Sequence, residues 1–325
     1  MVFFALCLDF YPVKCYIYGN TTQYEEQIMF IDCHIHVLET PSCPNPLNGE
    51  QRLDIAENQV KLLEKHGIEK AVILPIGSPD STCFVQSNEE ALRIAATYPD
   101  KYIPFCNLDP RSLFNTPEAK LEYVLKYYRD KGCKGIGEVT AHLHLDDPRV
   151  ENLFAAAQSA GIPLTFHLAP QEGGFYGLIE AEPGLKKLER ALQKFPDLKF
   201  FGHSQVFWGE MSANMSDMGR RGYPKGKITE EGAVPTLMRK YPNLYGDLSA
   251  GSGSNALMRD EEYAVKFLNE FQDRLMFGTD YCAPSSVGLL SKLGDFLIRL
   301  RDEKKISETV FQKVAKGNIT RLLGL

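Results

Sequence analysis

Between residues 29 and 325, short apolar runs alternate with amphipathic stretches, and this alternation restricts the possible folds more than any other feature of the chain. Runs of strand length occupy 29–34, 71–76, 102–109, 132–139, 163–169, 199–205, 244–249 and 275–281. Helical periodicity follows each of them, over 50–66, 86–98, 116–131, 148–161, 182–195, 229–241, 260–273 and 286–303, with a last helix at about 306–322. Local signals agree with this pattern. Ala56, Val60 and Leu63 share one helix face, with Gly67 as its C-terminal cap. Thr116-Pro117-Glu118 offers an N-cap followed by proline at the first helical position. Pro148 opens a helix carrying Val150, Leu153, Phe154 and Ala157, which Gly161 ends. Strict alternation predicts parallel strands joined by crossover helices, and eight such units predict a closed (β/α)8 TIM barrel.

Six residues of metal-ligating type stand at the downstream ends of these runs. They are His34 and His36 in Phe30-Ile-Asp-Cys-His-Ile-His, Glu138 in Gly135-Ile-Gly-Glu, His167 in Leu164-Thr-Phe-His, His203 in Phe200-Phe-Gly-His, and Asp280 in Met276-Phe-Gly-Thr-Asp. An open sheet would gather a ligand at one switch point, whereas these residues end strands 1, 4, 5, 6 and 8, which only a ring brings together. His34 and His36 are two apart, so both project the same way, and Asp32 shares their parity as a candidate partner for one ring. Imidazole and carboxylate suit zinc and similar divalent ions. The blander readings are a strand-end histidine satisfied in the core and Asp280 as a helix N-cap. Four of the seven histidines on strand ends, with Asp280 next to strand 1 in a closed ring, favour a shared metal centre. Glu138 is open between bridging two metals, ligating one and bonding a neighbouring backbone. His142 and His144 follow it in a loop, and His66 ends a helix, where a cation suits the dipole.

Composition narrows the class of function. Hydrophobic residues make up 44% and charged residues 24% of 325, as in a globular protein with a sizeable core. A net charge of −6 argues against a nucleic-acid partner. No run of about 18 apolar residues predicts a membrane span. The start, Met1-Val-Phe-Phe-Ala-Leu-Cys-Leu8, faintly resembles a signal peptide, but no basic residue precedes it and Asp9 interrupts it. Residues 1–28 are therefore expected to be an extension outside the catalytic barrel of 29–325. The eight cysteines are scattered with no CxxC pair, which predicts a reducing, cytoplasmic setting and leaves the N-x-S/T sequons at Asn20, Asn214 and Asn318 without meaning. Long connections at 37–49, 170–181 and 206–228 leave the expected mouth and are candidate walls or lids of a substrate pocket. Trp208, Arg220, Arg221 and His142 are the candidate contacts to a small-molecule substrate, with Phe207, Phe175, Tyr176 and Lys225 nearby in those loops. Barrels of this kind often pair, so a homodimer is an open expectation.

The ordered set His34-x-His36, His167, His203 and Asp280 resembles the amidohydrolase superfamily of metallo-dependent hydrolases. The opening Phe30-Ile-Asp-Cys-His-Ile-His and the closing Gly317-Asn-Ile-Thr-Arg-Leu-Leu-Gly-Leu325 resemble its amidohydrolase-related branch, which includes decarboxylases of aromatic-type acids. The resemblance implies that His34, His36, His167 and Asp280 hold a metal, usually zinc. It also implies that His203 polarises the substrate or positions the attacking water. One departure is Glu138, which is more similar to the TatD-like and phosphotriesterase-like hydrolases, where strand 4 supplies a ligand shared by two metals. One or two ions are thus open. The parts suit hydrolysis of an ester, lactone or amide, with Asp280 accepting the proton of an activated water. The alternatives are a metal-dependent non-oxidative decarboxylase, with Arg220, Arg221 or Lys225 gripping a carboxylate, and a silent metal- or ligand-binding barrel. The complete ligand set counts against the last.

Overall fold

A computed structural model describes residues 30–325 apart from 46, 47, 81 and 214. The expected extension 1–28 lies outside the described residues, as do Met29, Cys7, Cys15 and the sequon residues Asn20 and Asn214. Ten strands are described: β1 Phe30–Ile35, β2 Ile68–Ile73, β3 Tyr102–Pro104, β4 Ile136–Val139, β5 Ala141–His144, β6 Leu164–Ala169, β7 Gly177–Ile179, β8 Phe200–His203, β9 Leu244–Asp247 and β10 Leu275–Met276. Every pairing among them is parallel. Eight follow one another around a ring, β1-β2-β3 and β4-β6-β8-β9-β10. The first gap is spanned by a Cys106–Ile136 bridge, with the Cys106 N–H donating to Gly135 O and the Gly137 N–H to Cys106 O, both at 3.0 Å. The second is spanned by an Ile35–Tyr281 bridge, where Cys33 donates to Phe277 O and Asp280 to His34 O at 2.9 and 2.8 Å. The chain is a (β/α)8 barrel, and no helix of the described residues is long and apolar enough to cross a membrane.

Side-chain alternation sorts each strand into two layers. Along β8, Phe200 belongs to the core between strands and helices, Phe201 to the cluster inside the ring, and His203 follows Phe201 on the inner side. Gly202 lies on the outer side because a Cβ there would meet the Phe207 ring at 2.4 Å. The inner cluster joins Ile31, Val72, Ile103, Phe105, Phe201 and Tyr245 to Ile319, Leu322 and Leu323 of the terminal helix Asn318–Leu323. Polar groups at the strand ends therefore stand above a dry floor.

Most helices fall where periodicity places them, as with Pro148–Ala160, which Asp147 caps and left-handed Gly161 ends. Strand β2 begins earlier than the apolar run at 71–76 suggests. Gly67 (φ +68°) turns the chain directly after the helix Ala56–Lys65 and accepts from the Phe30 N–H, so pairing starts at Ile68. Thr116 and Pro117 form a turn, not the expected cap, and the helix starts at Leu121. The connections after β4 and β6 contain β5 and β7, which pair with each other beyond the end of β4.

The connection 206–228 corrects two expected substrate contacts. Trp208 is buried, its ring between Phe207 and Phe267, and its indole N–H donates to Asp247 O at 2.9 Å. Arg220 is 1% exposed. Its Nε donates to Glu210 Oε1 at 2.7 Å, and its other nitrogens donate to the carbonyls of Glu180, Ala181 and Glu182. A long side chain with five donors can tie three carbonyls and a carboxylate together, and here it fastens two loops rather than meeting a ligand.

Glu180 in this knot predicts a pH effect. Its Oε2 accepts from the Leu188 N–H at 3.0 Å, while its Oε1 is buried with no partner. Burial pushes the carboxyl up to about 7, against the pull of the Leu188 amide and Lys187. From the ordinary carboxylate range up to that value, the folded chain keeps a proton that the unfolded chain has released, so stability falls as pH rises. The neutral variant Glu180→Gln should therefore gain on the wild type by about 1–3 kcal/mol between pH 5 and pH 8. Urea unfolding of both proteins at the two pH values checks this; a difference independent of pH would be the contrary result.

Candidate metal centre

His34 and His36 reach one centre through an irregularity in β1. The register against β2 shifts between Asp32 and Ile35, so Cys33 and His34 both turn to the inner side. The parity argument therefore fails for Asp32, which holds the chain ends together instead of an imidazole. It accepts from the His34 and Thr279 N–H groups at 3.0 Å and from Thr279 Oγ1 at 2.5 Å. Burial pushes its carboxyl up to about 7, opposed by Thr279.

The partner of His34 is Asp247, at the end of β9. Asp247 Oδ2 lies 2.6 Å from His34 Nδ1, while Oδ1 accepts from Cys33 Sγ and the Ser249 N–H. His36 Nδ1 donates to Leu74 O at 2.7 Å, because a carbonyl can only accept. That bond aims His36 Nε2 at His34 Nε2, only 3.3 Å away. Two bare ring nitrogens this close would repel, so the contact favours a proton or a cation between them. Burial alone would disfavour a charged His34, but Asp247, Asp280 and Glu138 outweigh it and push the ring up to about 10. Asp247, conversely, is held far below the usual carboxylate range, its burial overcome by His34 and His203.

Glu138 stands in the middle of the group. Its Oε1 is 2.6 Å from His167 Nδ1 and 3.6 Å from His203 Nε2; its Oε2 is 3.5 Å from His36 Nε2 and 3.8 Å from His34 Nε2. Asp280 closes the open side, with Oδ1 3.6 and 3.5 Å from His34 and His36 Nε2, and Oδ2 4.0 Å from His203 Nε2. Its side chain is 24% exposed where the others are nearly sealed. The left-handed backbone at Asp280 (φ +55°) is secured by its N–H to His34 O. His167 and His203 face each other in register across β6 and β8, and His203 Nδ1 lies 3.0 Å from Ser249 Oγ. Burial, then the neighbouring His34, pushes His203 down to about 3, so its ring is neutral and able to ligate. Three groupings bring their ligand atoms within 4.8 Å: His34, His36 and Glu138; Glu138, His167 and His203; and His34, His203 and Asp247. The ring thus assembles all six residues read from the strand ends. Four imidazoles gathered beside Glu138, Asp247 and Asp280 suit a divalent cation.

Asp247 is the member that motif reading missed. Leu244-Tyr-Gly-Asp247 repeats the pattern of Phe200-Phe-Gly-His203, with an outer apolar residue, an inner aromatic, a glycine and then an inward ligand type. That repetition was the available signal.

A cavity of about 350 Å³ opens over His36, Glu138 and Asp280 and is walled by Tyr176, Arg52 and Cys282. Tyr176 also borders a smaller cavity of about 120 Å³ lined by His167, Gln205 and Arg221, and its ring lies 4.4 Å from that of His167. Arg221 therefore stands near the centre, bonded to Gln171 Oε1 and over the Phe175 ring. His142 borders neither cavity. Its Nε2 accepts from the Gly173 N–H at 3.1 Å and its Nδ1 faces Asp80, so it braces the 170–176 loop.

Solved structures share this architecture. An uncharacterised TIM-barrel protein of Bordetella bronchiseptica is 20% identical (TM-score 0.61), covering 91% of this chain and 98% of its own. The 5-carboxyvanillate decarboxylase of Sphingomonas paucimobilis is 16% identical (TM-score 0.59), covering 92% and 99%. A probable 2-pyrone-4,6-dicarboxylic acid hydrolase of Acinetobacter baumannii is 13% identical (TM-score 0.54), covering 91% and 99%. At these identities the likeness is one of fold. No functionally curated protein matches the sequence. The sequence profile described as Amidohydrolase matches residues 31–325, nearly the whole barrel, and the chain belongs to that family.

Proposed function

We propose that this protein is a metal-dependent hydrolase that cleaves an ester, lactone or amide bond of a small molecule. Its centre would hold two divalent ions, with zinc the expected identity. Members of the family usually bind a divalent metal, and the buried His, Asp and Glu cluster suits one. The observation that carries the two-ion reading is the orientation of Glu138, whose two oxygens turn to two separate pairs of imidazole nitrogens. His34, His36 and Asp280 would hold one ion, His167 and His203 the other, and Glu138 both. Such ions lower the pKa of water from about 15.7 to about 7 and polarise a carbonyl oxygen.

The chain's own residues supply the rest. Asp280 is the partly exposed carboxylate at the cavity floor, so it can take the proton of the attacking water and pass it to the leaving group. Asp247 fixes His34 by its Nδ1, which turns Nε2 toward the centre, and Leu74 O does the same for His36. Tyr176 covers His167 and limits access of water from that side. The lyase alternative loses one support, because Arg220 is spent on Glu210 and three carbonyls.

Three outcomes test this reading. Atomic spectroscopy of the purified, metal-loaded protein should count two ions per chain and at most one in Glu138→Gln; a single ion in the wild type would remove the bridging role. On a panel of lactones, esters and amides beside aromatic acids, hydrolysis is expected. Asp280→Asn should lower its kcat about 10²–10⁴-fold, and CO₂ release without hydrolytic turnover would establish the lyase instead. Asp247→Asn should weaken metal affinity about 10–100-fold in competition with a chelator, and unchanged affinity would deny Asp247 its orienting task.

A further inference from the structure

Serine at the N-cap of a helix ordinarily turns its hydroxyl to the amides of the first turn. Ser87, Ser204 and Ser307 do so in this chain, each accepting from the N–H three residues on. Ser249, the N-cap of the helix Ala250–Met258, does not. It is wholly buried just past the end of β9, and its Oγ lies 3.0 Å from His203 Nδ1. Its N–H donates to Asp247 Oδ1 at 3.0 Å. Burial would raise the Asp247 carboxyl, but His34 and His203 outweigh it, and a hydrogen bond from the Ser249 side chain adds to their pull. A Cβ on Gly278 would meet Ser249 Cβ at 2.8 Å, Cys33 Sγ at 2.9 Å and Asp247 Oδ1 at 3.1 Å, so this glycine lets the barrel seam close tightly against the serine.

A hydroxyl both donates and accepts, so its contact with Nδ1 alone leaves the His203 ring undecided between its two tautomers. Asp247 decides it. Its Oδ2, besides facing His34 Nδ1 at 2.6 Å, lies 3.5 Å from His203 Nδ1. A bare Nδ1 would set its lone pair against a carboxylate oxygen, whereas a protonated one is drawn to both neighbours. We infer that Ser249 is a positioning residue that relays the orientation of Asp247 to His203: the Nδ1–H donates to Ser249 Oγ, and the Ser249 hydroxyl donates to Asp247. His203 Nε2 is then bare, 3.6 Å from Glu138 Oε1 and 4.0 Å from Asp280 Oδ2, and serves as a ligand rather than a donor. One carboxylate thus sets two imidazoles, His34 directly and His203 through the serine. The inference deepens the two-ion reading and rests on it for the ion that His203 would hold. It removes His203 as the group that donates a hydrogen bond to a substrate oxygen, and it explains why a helix cap is given up at this position.

Long-range proton–nitrogen correlation NMR of the full chain, isotope-labelled at its histidines and freed of metal by chelation, reads the tautomer directly. Loss of a signal in His203→Gln identifies the ring. The wild type should carry the hydrogen on His203 Nδ1, and Ser249→Ala should move it to Nε2. Ser252→Ala, which removes a buried hydroxyl with no partner in the first turn of the same helix, should leave the tautomer unchanged. In competition with a chelator, Ser249→Ala should bind the second zinc ion about 10–100-fold more weakly, while the first binds within about twofold of the wild type. A hydrogen on Nε2 in the wild type, or on Nδ1 in Ser249→Ala, would overturn the relay while leaving the ion count to its own test. The first of these outcomes needs no variant to fold. A wild type that holds one ion, yet shows the expected tautomer and its dependence on Ser249, would end the two-ion reading and leave the relay standing.

Discussion

Closure of the strand ring between its first and last members is the constraint on which the site depends. The segment 277–281 runs beside β1 through the Cys33, His36 and Asp280 N–H groups, and Asp32 locks it by accepting from Thr279 backbone and hydroxyl. Without that seam Asp280 would be far along the chain from His34 and His36, and no local structure would return it. The same seam sets Asp280 in a left-handed conformation, so that one residue both ends the barrel and faces its centre. Among the described residues, the bridges Cys106–Ile136 and Ile35–Tyr281 join the two runs of barrel strands and so cover their edges.

Once the ring is closed, electrostatics dictates what may occupy its mouth. Glu138, Asp247 and Asp280 are brought among four imidazoles in a setting where water is largely excluded. Buried carboxylates persist only with compensating charge or hydrogen bonds. Asp247, Asp280 and Glu138 push the His34 imidazole up to about 10, and its Nε2 stands 3.3 Å from that of His36. The fold thus gathers carboxylates and imidazoles into a buried cluster of the kind that suits a divalent cation.

The loops show how similar residue types part company. Trp208 and Arg220 lie in the same connection as Arg221, yet the first two are consumed by packing and by carbonyls, while Arg221 stays near the cavity. Arg52, in a connection rich in polar residues, is left without a protein partner. Residue type announces a capacity for hydrogen bonding. Whether that capacity is used internally depends on which carbonyls and carboxylates the neighbouring turns present.

Periodicity and ligand placement along the chain determined the barrel and six members of its centre. Alternation of apolar runs is a local property, and strand ends on a parallel ring converge whatever the loops do. The capping of 148–160 was legible for the same reason, since proline and glycine impose their dihedral angles locally. Tertiary structure alone decided the rest. The shift in β1 that separates Asp32 from His34 arises from pairing with β2, and Asp247 is chosen as the partner of His34 by adjacency across the ring. Which arginine is free is likewise settled by long-range neighbours, because hydrogen-bond satisfaction is a property of the surroundings and not of the residue.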